Sequence, residues 1–263
     1  MDRVTRRTIL FRCGDATLVG TLDAAPGTCG VLIVSGGNEL RTGAHRGMAM
    51  LAARLAAAGT PVFRYDRRGI GDSEGVDPGY AGAAPDLAAA LATFRAEAAI
   101  TRVVAFGNCD AATLLALEGS ALGIDALVLA NPWTGDEPDA LPAPAAIRAT
   151  YAARLRDPAQ WWRLARGGVD LRKLARGVTK LLRRRVPVSA LAKRVVRAVE
   201  ASGATVVLAT GDATALAFEE AARRLQARID PIRLDTDSHS FARTGDLDAV
   251  EAAIRTALSS PRA

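Results

Sequence analysis

Cysteine and histidine are scarce in this chain, and their scarcity narrows the chemistry available to it. Of 263 residues, three are cysteine and two are histidine. Cys13, Cys29 and Cys109 are too few and too scattered to form a disulfide framework. Together with His45 and His239 they show no zinc-binding spacing. The sequence therefore predicts no bound metal, and it offers only two imidazoles as candidate catalytic bases.

Long apolar runs are also missing. No stretch approaches the roughly 18 uninterrupted apolar residues of a membrane span. The basic N-terminus lacks the apolar core and cleavage site of a signal peptide, so we expect a soluble, cytoplasmic protein. Apolar residues nevertheless make up 49% of the chain, which argues against disorder. The length suits one α/β domain with an insertion, or two small domains.

Acidic residues are nearly absent from one segment, although the whole chain has a net charge of only +6, so the remainder of the chain is net acidic. Fifteen arginines and lysines lie between Arg148 and Arg197, and only Asp157 and Asp170 oppose them. Such a segment forms a solvated face or docks an acidic partner, such as anionic lipid, acidic polysaccharide or an acyl carrier. We expect no nucleic-acid binding. Attachment at the inner membrane surface remains open.

Short strand patterns alternate with helical patterns along most of the chain. Strands are predicted at residues 8–12, 17–22, 29–34, 61–65, 102–106, 125–130, 205–209 and 232–234. Intervening helical patterns of 10–15 residues predict a mostly parallel central sheet flanked by helices. The alternation stops at residues 135–202, where proline and basic helical patterns predict an inserted helical cap. The α/β core is therefore expected at residues 1–134 and 203–263.

The most informative stretch is the strand pattern that ends in Gly107-Asn108-Cys109-Asp110. Small residues follow it and open a helical pattern, so the context is strand, sharp turn and helix. This is the context of a nucleophile elbow, here with cysteine as the reactive residue. Backbone N–H groups at the start of the following helix favour a thiolate there. A buried cysteine acting as a small apolar residue is the alternative interpretation.

A base and an acid follow Cys109 in the order expected for one triad fold. Asp212 comes just after the strand at 205–209, and His239 comes just after the last strand. Nucleophile, acid and base in this order are typical of the α/β-hydrolase fold. All three residues follow predicted strands, at the edge where ligands bind in parallel α/β sheets. We therefore predict a catalytic triad of Cys109, Asp212 and His239.

Other residues are candidates for contacts with the substrate. The backbone N–H groups of Asp110 and Gly37 are expected to form an oxyanion hole, because Gly37 lies in the loop after the strand at 29–34. Asn38 of the same loop, His45 and Trp133 are candidate substrate-binding residues. For His45 the sequence favours a structural role over substrate binding, and Trp133 could equally pack against the cap.

Two further motifs resemble functional sites. Gly71-Asp72-Ser73-Glu74-Gly75 matches G-x-S-x-G, but no apolar strand directly precedes it and no helix can follow it, so Ser73 is predicted to be structural. Gly69-Ile70-Gly71 resembles the start of a dinucleotide loop, but Glu74 stands where the third glycine belongs. We therefore expect no cofactor.

With these residues assembled, the chain resembles the type 1 hydrolases associated with the exosortase A system, an α/β-hydrolase family of bacteria. The likeness rests on Gly36-Gly37, on the residues from Arg64 to Gly75, on Gly107-Asn108-Cys109-Asp110, on Asn131-Pro132-Trp133 and on Gly211-Asp212. Family members occur with extracellular-polysaccharide and protein-sorting genes. The resemblance implies an α/β-hydrolase fold and a hydrolase-like activity, without fixing a substrate.

Three functions fit these residues. The first is an esterase or thioesterase that works through a thioester on Cys109, with a small acyl ester or thioester as substrate. The second is an acyltransferase with the same triad, since a cysteine suits activated acyl donors. The third is a non-catalytic relative that binds an acidic partner. An acidic residue directly after Gly211 leaves open whether Asp212 or Asp237 orients His239.

Overall fold

The computed structural model describes residues 5–135 and 187–260, and element labels here number only those residues. Eight strands form one sheet in the order β1-β2-β4-β3-β5-β6-β7-β8. They are β1 (Thr5–Cys13), β2 (Ala16–Ala24), β3 (Cys29–Val34), β4 (Val62–Tyr65), β5 (Arg102–Asn108), β6 (Ala126–Ala130), β7 (Thr205–Ala209) and β8 (Ile232–Leu234). The pairings β1–β2 and β2–β4 are antiparallel, and the remaining pairings are parallel.

The apolar strand patterns explain the sheet. β3, β4, β5 and β6 are almost wholly buried, as expected for parallel strands that are covered on both faces. The antiparallel start follows from the tight turn between β1 and β2, where Gly14 adopts a φ of 58° that suits glycine. The predicted mostly parallel sheet is therefore confirmed.

Helices cover both faces of this sheet. They are α1 (Gly47–Ala57), α2 (Gly79–Gly82), α3 (Ala84–Ala98), α4 (Asp110–Glu118), α5 (Ala190–Ser202), α6 (Ala213–Arg224) and α7 (Asp246–Ser259). One core cluster joins one face of the sheet to α3, α4, α5 and α6. A second core cluster joins the opposite face to α1 and α7. Flanking helices on both faces are what the sequence predicts.

The predicted cap falls mainly outside the described residues. Residues 136–186, which hold most of the basic segment, are not described, so the boundary at residues 135–202 stays a prediction. The last part of that range forms α5, whose Val195, Val196 and Val199 are buried in the first core cluster. Within the described ranges, no helix has the length and apolar character needed to cross a membrane.

Parallel pairing places several strand ends at one edge of the sheet. The register pairs Asn108 of β5 with Ala130 of β6, and it pairs Ala209 of β7 with Leu234 of β8. The loops that follow β3, β5, β6, β7 and β8 therefore leave the same edge. Ligands of open α/β sheets bind at this edge.

Candidate active site

Cys109 lies on a sharp turn between β5 and α4. Its backbone has φ 60° and ψ −124°, a conformation that is costly for any residue except glycine. The surroundings hold it: the Cys109 N–H donates to the Ala130 carbonyl at 3.0 Å, and the Cys109 carbonyl accepts from Thr113 and Trp133 at 3.3 and 3.2 Å. The turn is therefore built by hydrogen bonds to both of its neighbours, β6 and α4. The Cys109 side chain is half-buried, unlike that of Cys13.

Close packing explains the glycine before this turn. A Cβ atom on Gly107 would lie 2.9 Å from the Ala111 backbone and from the Leu115 side chain. Only glycine at this position lets α4 pack so closely against β5. The strand–turn–helix context that the sequence predicts is present, with α4 starting at the residue after Cys109.

His239 and Asp212 are paired at the same edge. The Nδ1 atom of His239 lies 2.9 Å from Asp212 Oδ2. The other carboxylate oxygen of Asp212 accepts hydrogen bonds of 3.0 Å from the backbone N–H groups of Thr214 and Ala215, and so caps α6. One carboxylate thus starts a helix and orients an imidazole. The alternative acid, Asp237, pairs instead with Arg243 at 2.6 Å and is exposed.

These contacts shift both ionisable groups. Hydrogen bonding with Asp212, and next with Cys109, raises the pKa of His239 to about 10 against the opposing effect of burial. Burial alone would raise the pKa of Asp212, but hydrogen bonds from His239, Ala215 and Thr214 outweigh it and lower that pKa. The pair is therefore an imidazolium beside a carboxylate at neutral pH.

The turn at Cys109 lies next to the histidine loop, because Asn108, directly before Cys109, donates to the His239 carbonyl at 2.9 Å. Hydrogen bonding with Cys109 is also one cause of the raised pKa of His239. Asp212 occupies Nδ1, so Nε2 is the ring nitrogen left for the sulfur. Among the described residues, the His239–Asp212 contact has strict hydrogen-bond geometry, whereas the Cys109–His239 contact does not. Catalytic hydrogen bonds are often loose without substrate and tighten in the complex. The structure thus pairs His239 with Asp212 next to the turn that carries Cys109, and a working triad of the three residues stays a prediction.

The expected oxyanion donors are arranged differently from the prediction. The Gly37 N–H donates a 2.6 Å hydrogen bond to the carboxylate of Asp110, so in this structure it is already occupied. Buried Arg67 contacts the same carboxylate at 3.4 Å and also donates to the Gly37 carbonyl. A Cβ on Gly36 would lie 2.5 Å from the Asn108 carbonyl oxygen, so this loop lies directly against the elbow. The backbone N–H of Asp110, the first residue of α4, has no acceptor within the helix and can donate to an oxyanion.

The candidate substrate-binding residues are spread around this edge. Asn38 is exposed next to Gly37. Trp133 is half-buried, and its backbone N–H supports the Cys109 turn. His45 is exposed on the short turn Ala44–Arg46, with a φ of 51°, and no described contact joins it to Cys109. Trp133 is thus tied to the elbow through its backbone.

Ser73 is structural, as the sequence predicts. Its hydroxyl donates to the Asp66 carbonyl at 2.7 Å and accepts from the Val19 N–H at 2.9 Å. The side chain is buried and fully engaged by the backbone. A serine held in this way has no free hydroxyl for nucleophilic attack.

Sequence reasoning missed the roles of three polar residues. Arg67 holds Asp110, and Asn108 and Asn131 both donate to the backbone carbonyl of His239. The sequence places Asn108 and Asn131 at the ends of two strands, and this position was the only available signal. Which carbonyl they reach depends on contacts across more than a hundred residues of sequence.

A cavity of about 580 Å³ lies elsewhere in the molecule. Its lining includes Phe218, Arg223 and Ile229, near α6 and β8. None of its lining residues belongs to the pair of Asp212 and His239 or to the elbow. Among the described residues, no group of three or more histidines, cysteines and carboxylates is placed to hold a metal ion.

Comparison with known proteins connects this geometry to one family. Residues 31–253 match the model of a family described as Alpha/beta hydrolase family. No curated protein matches the sequence. This family match confirms the α/β-hydrolase fold that the sequence predicts, and it does not test the narrower likeness to the exosortase-associated hydrolases.

Solved structures show the same fold. An α/β-hydrolase from Penicillium sp. sh18 is 19% identical with a TM-score of 0.63, over 97% of this chain and 98% of that one. An esterase from Pyrococcus furiosus is 14% identical with a TM-score of 0.61, over 97% and 92%. The thioesterase domain from the curacin biosynthetic pathway is 14% identical with a TM-score of 0.58, over 97% and 100%. At such identities the likeness shows the fold alone.

Proposed function

Because the chain belongs to the alpha/beta hydrolase family, we propose that it cleaves an ester or thioester through an acyl-enzyme on Cys109. The observation that carries this proposal is the pairing of His239 with Asp212 beside the strained Cys109 turn. A nucleophile, a base and an orienting acid are the parts that covalent acyl transfer requires. The esterase and thioesterase among the structural neighbours support the same class of substrate.

The reaction begins from an ion pair, in which the His239 imidazolium holds Cys109 as a thiolate. The thiolate attacks the carbonyl carbon of the substrate, and the carbonyl oxygen becomes an oxyanion. The Asp110 N–H at the start of α4 faces this negative charge, together with the Gly37 N–H once Asp110 releases it. Collapse of the intermediate breaks the bond to the leaving group, which takes a proton from His239, and a thioester remains on Cys109.

The second half regenerates the ion pair. His239, now neutral, takes a proton from water as the water oxygen attacks the thioester carbonyl. The tetrahedral intermediate collapses, the acid product leaves, and Cys109 is released as a thiolate beside the imidazolium of His239. An alcohol in place of water would make the protein an acyltransferase, because the two reactions differ only in the acceptor. The cysteine nucleophile suits activated acyl donors in both cases.

Intact-mass spectrometry tests this proposal directly. Incubation with a panel of acyl thioesters and activated esters is expected to add one acyl mass to the wild type and none to Cys109→Ala. Iodoacetamide is expected to label Cys109 before Cys13 and Cys29 near neutral pH, and His239→Ala is expected to remove that preference. No adduct with any donor, together with equal slow labelling of all three cysteines, would favour a non-catalytic binding protein.

The resemblance to exosortase-associated hydrolases supports a role in exopolysaccharide or protein-sorting metabolism, with an acidic partner for the basic segment. Lys193, Arg194 and Arg197 of that segment are exposed on α5. Sedimentation with anionic liposomes, compared with neutral liposomes at the same salt concentration, tests a membrane surface as this partner. Equal recovery with both would remove the membrane from the proposal.

A further inference from the structure

His239 lies in the loop between β8 and α7, and this loop needs an anchor. β8 has only three residues, so its ladder alone fixes the following loop weakly. Asp212 fixes the imidazole ring. The backbone of His239 is fixed separately: its carbonyl oxygen accepts hydrogen bonds from Asn108 Nδ2 at 2.9 Å and from Asn131 Nδ2 at 3.3 Å.

Asn131 is the centre of this anchor. It is completely buried at the end of β6, with a φ of 41° that asparagine tolerates better than most residues. Its Oδ1 accepts from the Ala209 N–H of β7 at 2.9 Å, and its Nδ2 also donates to Asn108 Oδ1 at 3.2 Å. Every polar atom of this side chain therefore has a partner. The partners belong to β5, to β7 and to the His239 loop.

Asn108 connects the anchor to the nucleophile. It is the last residue of β5 and directly precedes Cys109. Its amide donates to the His239 carbonyl and accepts from Asn131. The backbone of the elbow and the backbone of the histidine loop are thus joined by one side chain. Movement of one relative to the other would break these bonds.

We propose that Asn108 and Asn131 are positioning residues that hold His239 at working distance from Cys109. They act through the backbone carbonyl of His239, whereas Asp212 acts on its imidazole. A buried polar network in which every member is satisfied rigidifies the groups it joins. Misplacement of a reacting group by about 1 Å can cost about a hundredfold in rate, so such an anchor has catalytic value. The inference rests on the proposed function, since it assigns the bonds a role in acyl transfer.

The test compares Asn108→Ala with wild type. The variant is expected to lower kcat about tenfold or more while KM stays within about twofold, because binding groups are untouched. The NMR titration of His239 is expected to shift to lower pH, since the contribution of Cys109 to its raised pKa weakens as the two groups separate. Asn131→Ala is expected to lower kcat and to shift the His239 titration in the same way. Because the two residues belong to one network, the double variant is expected to lose less transition-state stabilisation than the sum of the two single losses.

Ser73→Ala is the matched control. Like Asn108→Ala, it removes two hydrogen bonds of a polar side chain, but neither of those of Ser73 reaches the His239 loop. It is expected to lower the midpoint of urea unfolding without moving the titration or kcat. A folded Asn108→Ala with the wild-type titration and kcat would overturn the inference. A wild type that forms no acyl adduct, while Asn108→Ala still shifts the titration, would sink the proposed function and leave the anchor standing.

Discussion

The carboxylate of Asp110 accepts a 2.6 Å hydrogen bond from the backbone N–H of Gly37 and so joins the elbow to the loop after β3. Arg67, which is 2% exposed, contacts the same carboxylate. The residue directly after the nucleophile thus occupies the donor that an oxyanion would need. For turnover through Cys109, the substrate must displace this carboxylate from the Gly37 N–H, or the Asp110 N–H alone must stabilise the oxyanion.

Replacement of Asp110 tests this competition. Asp110→Ala is expected to raise the rate constant for acylation of Cys109 by about tenfold, since one oxyanion donor is freed. The free energy of unfolding is expected to fall by about 1–3 kcal/mol, because buried Arg67 loses an acceptor. Burst kinetics and urea unfolding measure the two effects. Asp110→Asn keeps an acceptor for Gly37 and serves as the control; acylation slower in the alanine variant than in the asparagine variant would contradict the prediction.

The titration of His239 reports its two partners separately. With only two histidines in the chain, His45→Gln assigns both imidazole resonances in one NMR experiment. The wild-type resonance is expected to titrate near pH 10. Asp212→Asn is expected to lower the midpoint most, and Cys109→Ser to lower it less, since Asp212 makes the larger contribution to the raised pKa. The reverse ranking of the two variants would show that the assignment of partners is wrong.

The same pKa predicts how stability depends on pH. The pKa of His239 is raised from 6.5 in the unfolded chain to about 10, so the folded state binds this proton more tightly. The stabilisation is therefore full below about pH 6.5 and is lost as the pH rises through about 10. Urea unfolding is expected to show that the difference in the free energy of unfolding between wild type and His239→Gln decreases from about pH 6.5 to about pH 10. A stability difference that increases as the pH rises would contradict the prediction.

Asp212 has two roles that two substitutions separate. Asp212→Asn keeps Oδ1 as an acceptor for the first turn of α6 but removes the charge that faces His239. We expect it to lose most acylation activity with little change in stability. Asp212→Ala is expected to lose the activity and, in addition, about 1 kcal/mol of the free energy of unfolding. Asp237→Asn is the control, because Asp237 pairs with Arg243; equal losses of activity in the Asp212 and Asp237 variants would refute this division.

Two neighbouring glycines differ in what a methyl group would meet. In Gly36→Ala the new Cβ would lie 2.5 Å from the Asn108 carbonyl oxygen and 2.7 Å from Asp110 Oδ1, so the loop must move away from the elbow. In Gly37→Ala the Cβ meets no atom within 4 Å, and only its φ of 53° is unfavourable. Alanine at residue 36 is therefore expected to reduce acylation at least tenfold more than alanine at residue 37. Comparable acylation rates in the two variants would show that the loop is not packed as described.

The strands and the triad candidates could be predicted because they depend on local pattern and chain order. The strands at Cys29–Val34, Thr205–Ala209 and Ile232–Leu234 have the predicted bounds. The first two are nearly continuous apolar runs, which mark buried parallel strands, whereas the third is a partly exposed strand at the edge of the sheet. The helical pattern after Cys109 runs from Ala111 to Leu122, but the helix itself ends at Glu118. Gly119 follows as its C-cap, and glycine disfavours continuation of a helix.

What the sequence by itself determined is the order of β-strands and helices, the strained turn at Cys109 and the candidates for acid and base. Only the tertiary structure decided that Asp212 rather than Asp237 faces His239, that Asp110 occupies the Gly37 amide, and that Asn108 and Asn131 meet at the His239 carbonyl. The reason is physical. Burial and periodicity depend on residues that are near one another in the sequence. The partner of a polar side chain depends on groups that come close only after the strands have paired.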